Sequence, residues 1–185
     1  VENNRAILTR QPNHPEAMRQ HAIALWYRAV VHRTNLRDED ARTSIEEAYA
    51  IASALRIRDP NDMGAIRISA ITGEVYAQIL ADMGDYPDSF ALMKEVISAQ
   101  RLLSEQGDSS QGSLRSLAAA LTTSGTNFYN GGEYTLACRD WQESLDLYMN
   151  LSADRSISEY DMKRSLPQVK DFVEKACNPP RPGFD

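Results

Sequence analysis

Apolar positions in this chain recur at three- and four-residue spacing, the mark of helices with one buried face. Met18, Ala22, Leu25, Ala29 and His32 share one stripe, and Ala41, Ile45, Ala48, Tyr49, Ala52 and Leu55 share the next. "MGD" and "NGGE" break the pattern between such stripes, where Gly accepts left-handed backbone at little cost. Pro87 falls where the first turn of a helix is expected, and its missing N–H does no harm there. "QPNHPEA", "RDPNDMGA" and "GDSSQGS" each set Asn or Ser ahead of a helix, where it can cap free N–H groups.

These elements repeat. Gly84 and Gly132 are 48 residues apart, as are Asp85 and Glu133, and Tyr86 and Tyr134. The same offset aligns three copies without a gap, beginning near Pro15, Met63 and Gln111. Four columns are identical in all three: Arg19/Arg67/Arg115, Ala22/Ala70/Ala118, Glu47/Glu95/Glu143 and Leu55/Leu103/Leu151. Others keep their character, among them Ala29/Ala77/Gly125, Ala41/Ser89/Ala137 and Ile45/Met93/Trp141. Each copy reads as two helices of about 20 residues, or ~30 Å. The expected organisation is the end of a preceding helix at 1–10, repeats over 11–58, 59–106 and 107–154, a capping helix over 155–177 and a Pro-rich tail over 178–185. Ile7 falls in the Leu55 column. Pro167 predicts a kink or a late start in the capping helix, whose apolar face carries Leu166, Val169, Phe172 and Val173.

The unit resembles the tetratricopeptide (TPR) repeat, in which two antiparallel helices cross at small residues. The matching positions are Ala29/Ala77/Gly125 and Ala41/Ser89/Ala137. Gly84-Asp85-Tyr86 and Gly132-Glu133-Tyr134 match the family's Gly-x-Tyr turn, whereas Leu36-Arg37-Asp38 does not. The period departs from the family's 34 residues. A narrower likeness is to the C-terminal repeat arrays of bacterial receptor-like Ser/Thr kinases, carried by Trp141-Gln142-Glu143-Ser144-Leu145. The resemblance implies an all-α fold: a TPR-like α-solenoid of three antiparallel helix pairs in a right-handed superhelix, closed by a C-terminal capping helix.

Composition narrows the function classes. With 26 Asp+Glu against 20 Lys+Arg the formal charge is −6, an unfavourable balance for broad nucleic-acid or anionic-membrane binding. No apolar run approaches the ~20 residues of a membrane span, and no signal peptide opens the chain. The start at Val1, inside a helical pattern, reads as a fragment or a processed product. The compartment stays open: cytoplasmic by default, periplasmic if the parent has an upstream span. Cys138 and Cys177 lack metal-ligand spacing. They fall on helices that could be neighbours, but two reduced, partly buried thiols are the expected state.

Chemistry is hard to find. His14, His21 and His32 form no ligand set, and no phosphate loop or nucleophile elbow occurs. Asn150-Leu151-Ser152 matches a glycosylation sequon, but Leu151 is a core column. No catalytic residue, metal or cofactor is expected. The Arg19/Arg67/Arg115 and Glu47/Glu95/Glu143 columns are expected to form separate salt bridges or caps that stack unit on unit, each contributing about 0–1 kcal/mol if exposed.

What remains is a surface. In the family, first helices line a concave groove that holds a peptide or partner helix. The inward positions correspond to Trp26/Glu74/Thr122, Val30/Gln78/Thr126 and Arg33/Ala81/Tyr129, with Thr34/Asp82/Asn130 at the edge. Trp26, Val30, Arg33, Glu74, Gln78, Asp82, Thr126, Tyr129 and Asn130 are therefore the candidate partner-binding residues. Trp26 and Tyr129 are the sharpest, because exposed aromatics dominate protein contacts. Trp26 has a second reading, as packing on the helix remnant at residues 1–8. Val30, Gln78 and Thr126 stand where a carboxylate-clamping TPR protein has Asn, so binding of chaperone tails is not expected. The function expected is a non-catalytic scaffold or sensor module of a larger signalling protein; the alternative is an oligomerisation module of that parent.

Overall fold

The structure, a computed structural model, describes residues 14–106 and 111–177. The helix end expected at 1–10, part of the third capping stretch and the Pro-rich tail lie outside the described residues.

All regular structure among the described residues is helical. Six long helices come first: α1 (Pro15–Thr34), α2 (Asp38–Arg58), α3 (Met63–Asp82), α4 (Tyr86–Gln106), α5 (Gln111–Asn130) and α6 (Tyr134–Ala153). A π-helical turn at Asp161–Ser165 then leads into α7 (Leu166–Phe172), and a second π-helical turn follows at Val173–Cys177. The sequence period is visible in the element bounds. First helices start at 15, 63 and 111 and end at 34, 82 and 130, each step being 48 residues.

The elbows between paired helices share one hydrogen-bond scheme. Arg37, Asp85 and Glu133 donate their N–H to the carbonyls of His32, Leu80 and Phe128, at 3.0, 2.8 and 2.8 Å. One residue earlier, Leu36, Gly84 and Gly132 donate to Arg33, Ala81 and Tyr129 at 3.0, 3.0 and 3.1 Å. These bonds satisfy carbonyls left free at the helix end. The scheme needs a left-handed residue, and Gly84 (φ 85°) and Gly132 (φ 86°) supply it without a Cβ clash. In the first copy Leu36 takes the same conformation at φ 56°. The elbow without a Gly-x-Tyr signature thus has the same geometry as the two that carry it.

Packing within each pair is antiparallel and close. In the first, Leu25 and Ala29 of α1 pack with Ala41, Ile45 and Ala48 of α2. In the second, Ile66 and Ala70 of α3 meet Ala99 and Leu103 of α4, and the buried Ser89 hydroxyl donates to the Ala77 carbonyl at 2.8 Å. In the third, Ser144 donates to the Ala118 carbonyl at 2.7 Å and Ser124 to the Asp140 carboxylate at 2.7 Å. Small residues at the crossings let the backbones approach, and the buried hydroxyls are satisfied across the interface. Contact density divides the chain near Leu103 into two compact units, the first holding α1–α4 and the second α5 to the C-terminal turn.

Helix starts differ in detail from the expectation. The carboxylate of Asp62, not Asn61, caps α3, accepting from Gly64 N and Ala65 N at 2.8 and 3.1 Å. Asn61 sits in the preceding turn, donating its N–H to Asp59 Oδ1. A carboxylate also suits the positive end of the helix better than an amide does. At α1, His14 Nδ1 accepts from Ala17 N at 3.3 Å. Pro87 lies in the first turn of α4, as expected.

The Arg column does stack unit on unit at two of its three places. Arg19 reaches Asp62 at the start of the next first helix (2.7 Å), and Arg115 pairs with Asp161 at the start of the C-terminal segment. Ser158 begins that segment, its hydroxyl accepting from Asp161 N at 3.0 Å. It lies 96 residues after Asp62, two periods on, so the C-terminal segment occupies the place of a fourth first helix. Its buried Leu166 and Val169 fall in the columns of Ala118 and Leu121. The irregularity expected at Pro167 takes the form of the π-helical turn, in which Leu166 N–H bonds the Asp161 carbonyl five residues back.

The reduced state expected for the cysteines is overturned. Cys138 on α6 and Cys177 in the last π-helical turn form a disulfide, with Cα atoms 5.3 Å apart. Once the C-terminal segment takes the fourth first-helix place against α6, these two side chains face each other. The two cysteines are 39 residues apart in sequence, so spacing alone left the pairing open.

Candidate functional site

The nine groove candidates fall into two groups. Trp26, Val30, Arg33, Glu74, Gln78 and Asp82 stand on α1 and α3 in the first unit, and Thr126, Tyr129 and Asn130 on α5 in the second.

In the first unit, three candidates are bonded to one another. Arg33 Nη1 donates to Gln78 Oε1 at 2.7 Å and its Nε to Asp82 Oδ2 at 2.6 Å. One guanidinium thus ties α1 to α3 through two partners one turn apart, a geometry suited to Arg's planar fork. Trp26 is half-buried against Leu25, Ala29 and their neighbours and lies against Tyr27, ring centroids 4.5 Å apart. Its indole N–H is buried without a hydrogen-bond partner among the described residues. The ring is therefore partly committed to the core. Val30 and Glu74 are half-buried beside this network.

In the second unit Tyr129 is the open candidate, 43% exposed. Its ring lies 5.2 Å from Tyr134 and 5.5 Å from Trp141, and Trp141 stacks on Phe172 at 4.8 Å. An exposed aromatic held by two others needs little ordering on contact with a partner. Thr126 is half-buried and turns its hydroxyl back to the Thr122 carbonyl (2.9 Å), while Asn130 is exposed beside Tyr129.

A second concave feature did not stand out in the sequence. An open cleft of about 600 Å³ lies among α2, α3 and α4, walled by Tyr49, Ile57 and Pro60 with Arg56 and Lys94 at its edge. Within it Tyr49 Oη donates to Glu95 Oε2 at 2.9 Å. Burial raises the Tyr49 phenol above its ordinary range, and the Glu95 carboxylate raises it further. Nearby, Glu46 accepts from Arg42 Nε (2.8 Å) and Tyr76 Oη (3.0 Å). The Arg42 bond holds Glu46 below the usual carboxylate range against the opposing effect of burial, with Tyr76 adding to it. Both phenols donate to a carboxylate on another helix, Tyr49 of α2 to Glu95 of α4 and Tyr76 of α3 to Glu46 of α2.

Among the described residues no three His, Cys, Asp or Glu side chains converge as a metal site requires, and no helix is long and apolar enough to cross a membrane. His21 is buried with Nε2 3.5 Å from Glu47, and His32 is half-buried on α1. No family model, curated protein or solved structure matches this chain.

Proposed function

We propose that this chain is a non-catalytic protein-interaction module of the tetratricopeptide type, which holds a peptide or partner helix along its first helices. The reading rests on the 48-residue unit with its small-residue crossings and on its Gly-x-Tyr elbows. In a larger signalling protein such an array serves as scaffold or sensor, and the disulfide suits an oxidising compartment.

One observation carries the binding role. Tyr129 is 43% exposed and yet fixed between Tyr134 and Trp141, the condition of a pre-organised aromatic anchor. Several buried first-helix columns keep their type from copy to copy, as Ala22/Ala70/Ala118 and Ala29/Ala77/Gly125 do. The row Trp26/Glu74/Thr122, Val30/Gln78/Thr126 and Arg33/Ala81/Tyr129 does not. Such divergence fits side chains chosen for a partner, and in the first unit Arg33, Gln78 and Asp82 form a bonded polar network of their own.

The test is a selection of random peptides on the intact chain, followed by binding measurements on Tyr129→Ala and Tyr129→Phe. Selected peptides are expected to lose about tenfold or more in affinity with Tyr129→Ala and to keep most of it with Tyr129→Phe. If no peptide is enriched, or if those enriched ignore Tyr129, the binding role assigned to this face is wrong.

A further inference from the structure

The cleft among α2, α3 and α4 gathers hydrogen-bond donors that no acceptor among the described residues meets. In the first unit Arg19, Arg28, Arg33, Arg37 and Arg42 each lie within 4.0 Å of a carboxylate. Such pairing is the expected state in a chain with 26 Asp+Glu against 20 Lys+Arg. Arg56 of α2 and Lys94 of α4 line one cleft, and among the described residues neither side chain has a hydrogen bond or an ion pair. The Ser98 hydroxyl, one turn along α4 from Lys94, has none either. Other polar groups there are already engaged: Tyr49 donates to Glu95, and Ser69 to the Ile66 carbonyl at 2.9 Å. The walls are set in advance. Tyr49 lies against Gly73, where an added Cβ would stand 3.1 Å from its ring, and Glu95 holds its hydroxyl. Ile57, 79% exposed, and Pro60 leave one side apolar and uncovered.

We propose that this cleft binds a short acidic peptide segment, with a carboxylate taken by Arg56 and Lys94 and an apolar side chain set against Ile57 and Pro60. Charge selects the occupant. Two cations face a single carboxylate, Glu95, which already accepts from Tyr49, so the cleft holds donors in excess and suits an acceptor that brings its own negative charge. Arg56 offers a planar fork that matches a carboxylate, Lys94 a point charge, and Ser98 a further donor. The apolar side asks for a ligand that brings more than charge, which favours a peptide side chain over a free inorganic anion. At about 600 Å³ the cleft falls within the usual 300–1,000 Å³ of ligand sites. It contains none of the nine groove candidates and lies wholly within the first unit, so it stands apart from the binding role of Tyr129.

The experiment measures fluorescence anisotropy of labelled hexapeptides on the full chain. One pool alternates Asp or Glu with Leu, Ile, Val, Phe or Met, and a matched pool carries Asn or Gln in place of the acids. The acidic pool is expected to bind, and to bind more weakly as salt rises. The neutral pool should bind about tenfold less tightly or worse. Arg56→Ala with Lys94→Ala should cost about tenfold or more and Ile57→Ser about threefold, while Lys170→Ala, at an exposed cation in the second unit, should change nothing. Circular dichroism checks that each variant stays helical, which the exposure of Lys94 and Ile57 favours. Tyr129→Ala should bind the acidic pool as the wild type does, so this result and the peptide selection can fail independently. An acidic pool that does not bind overturns the proposal, as does a neutral pool that binds equally or a double variant that binds like the wild type. Inorganic phosphate and isovalerate serve as competitors. If either displaces the pool at the pool's own concentration, the cleft is a small-anion site and the peptide assignment is wrong.

Discussion

A Cβ added to Gly125 would stand 2.5 Å from Cδ1 and Nε1 of Trp141 and 2.9 Å from its Cγ. The two positions belong to columns that read Ala29/Ala77/Gly125 and Ile45/Met93/Trp141, so the largest residue on the second helix meets the smallest on the first. The indole is fixed by its N–H bond to the Thr122 carbonyl (3.2 Å) and by Phe172 stacked on its face, and it cannot yield cheaply. Gly125→Ala is expected to destabilise the chain by about 1–3 kcal/mol. Gly125→Ala with Trp141→Met restores the pairing of the second copy and should cost at least about 1 kcal/mol less than the two single changes summed. Urea unfolding of the four proteins measures this coupling. Simple additivity would show that the two side chains do not share the space.

The first elbow offers a stabilising change. Leu36 holds φ 56° where the other copies have Gly, and left-handed backbone costs an L-residue about 1–2 kcal/mol. Glycine removes that strain but is freer in the unfolded chain, which returns part of the gain. Leu36→Gly is expected to stabilise by about 0.5–1 kcal/mol, helped by the fact that the Leu side chain is almost wholly exposed. Gly84→Ala, with open space around its missing Cβ, should cost about 1 kcal/mol from backbone conformation alone. Thermal melts of both variants test the elbow directly, and a destabilised Leu36→Gly would mean that Leu36 makes a contact the fold needs.

Most of the fold was legible because the period acts on backbone and core together. A 48-residue repeat in Arg19, Ala22, Glu47 and Leu55 fixes helix length, and the elbows followed from Gly84 and Gly132. The equivalence of Leu36 was harder to see, since its geometry survives without the residue that announces it. The Cys138–Cys177 bond depended on where the C-terminal segment docks, which a column count leaves open. Candidate residues were legible in position but not in state. Arg33, Gln78 and Asp82 were named singly, while their mutual bonds require two helices to be brought side by side. Trp26 stood open between an exposed anchor and a packed ring, because a helical stripe does not show how much of a large ring its neighbours cover.

Asp161 makes the C-terminal segment sensitive to acid. Only 4% exposed, its carboxylate accepts from Ser158 Oγ (2.6 Å), Ser165 Oγ (2.9 Å) and the Arg115 guanidinium. Burial works against the ionised form, but the bonds from Ser158, Arg115 and Ser165 together outweigh it and hold the group below the usual Asp range. A carboxylate lowered by folding contributes stability that is full above its unfolded value of about 3.9 and is lost as pH falls through the folded value. Unfolding followed below about pH 4 should therefore show a decline that Asp161→Asn lacks. At neutral pH, Asp161→Asn should cost about 1.5–2 kcal/mol, because it weakens the charge-assisted bonds from Arg115 and the two serines, while Arg115 is exposed enough to be solvated. An unchanged acid profile in the variant would remove Asp161 from the account.

The disulfide gives the most direct measurement. Cys138 and Cys177 close a loop across a separation of 39 residues, and cross-linking a loop of that length stabilises by roughly 3–4 kcal/mol through the entropy of the unfolded chain. Thiol titration of the native, unreduced chain should find no free thiol, since these are its two cysteines. Reduction, or Cys177→Ser with Cys138→Ser, should loosen the last π-helical turn first. Val173–Cys177 has no buried side chain to hold it, whereas Leu166 and Val169 anchor α7. Phe172 lies at that boundary, so Trp141 fluorescence reports the change as their stacking at 4.8 Å is lost. Two titratable thiols in protein prepared under oxidising conditions would show that the bond does not form and that packing alone seats the segment.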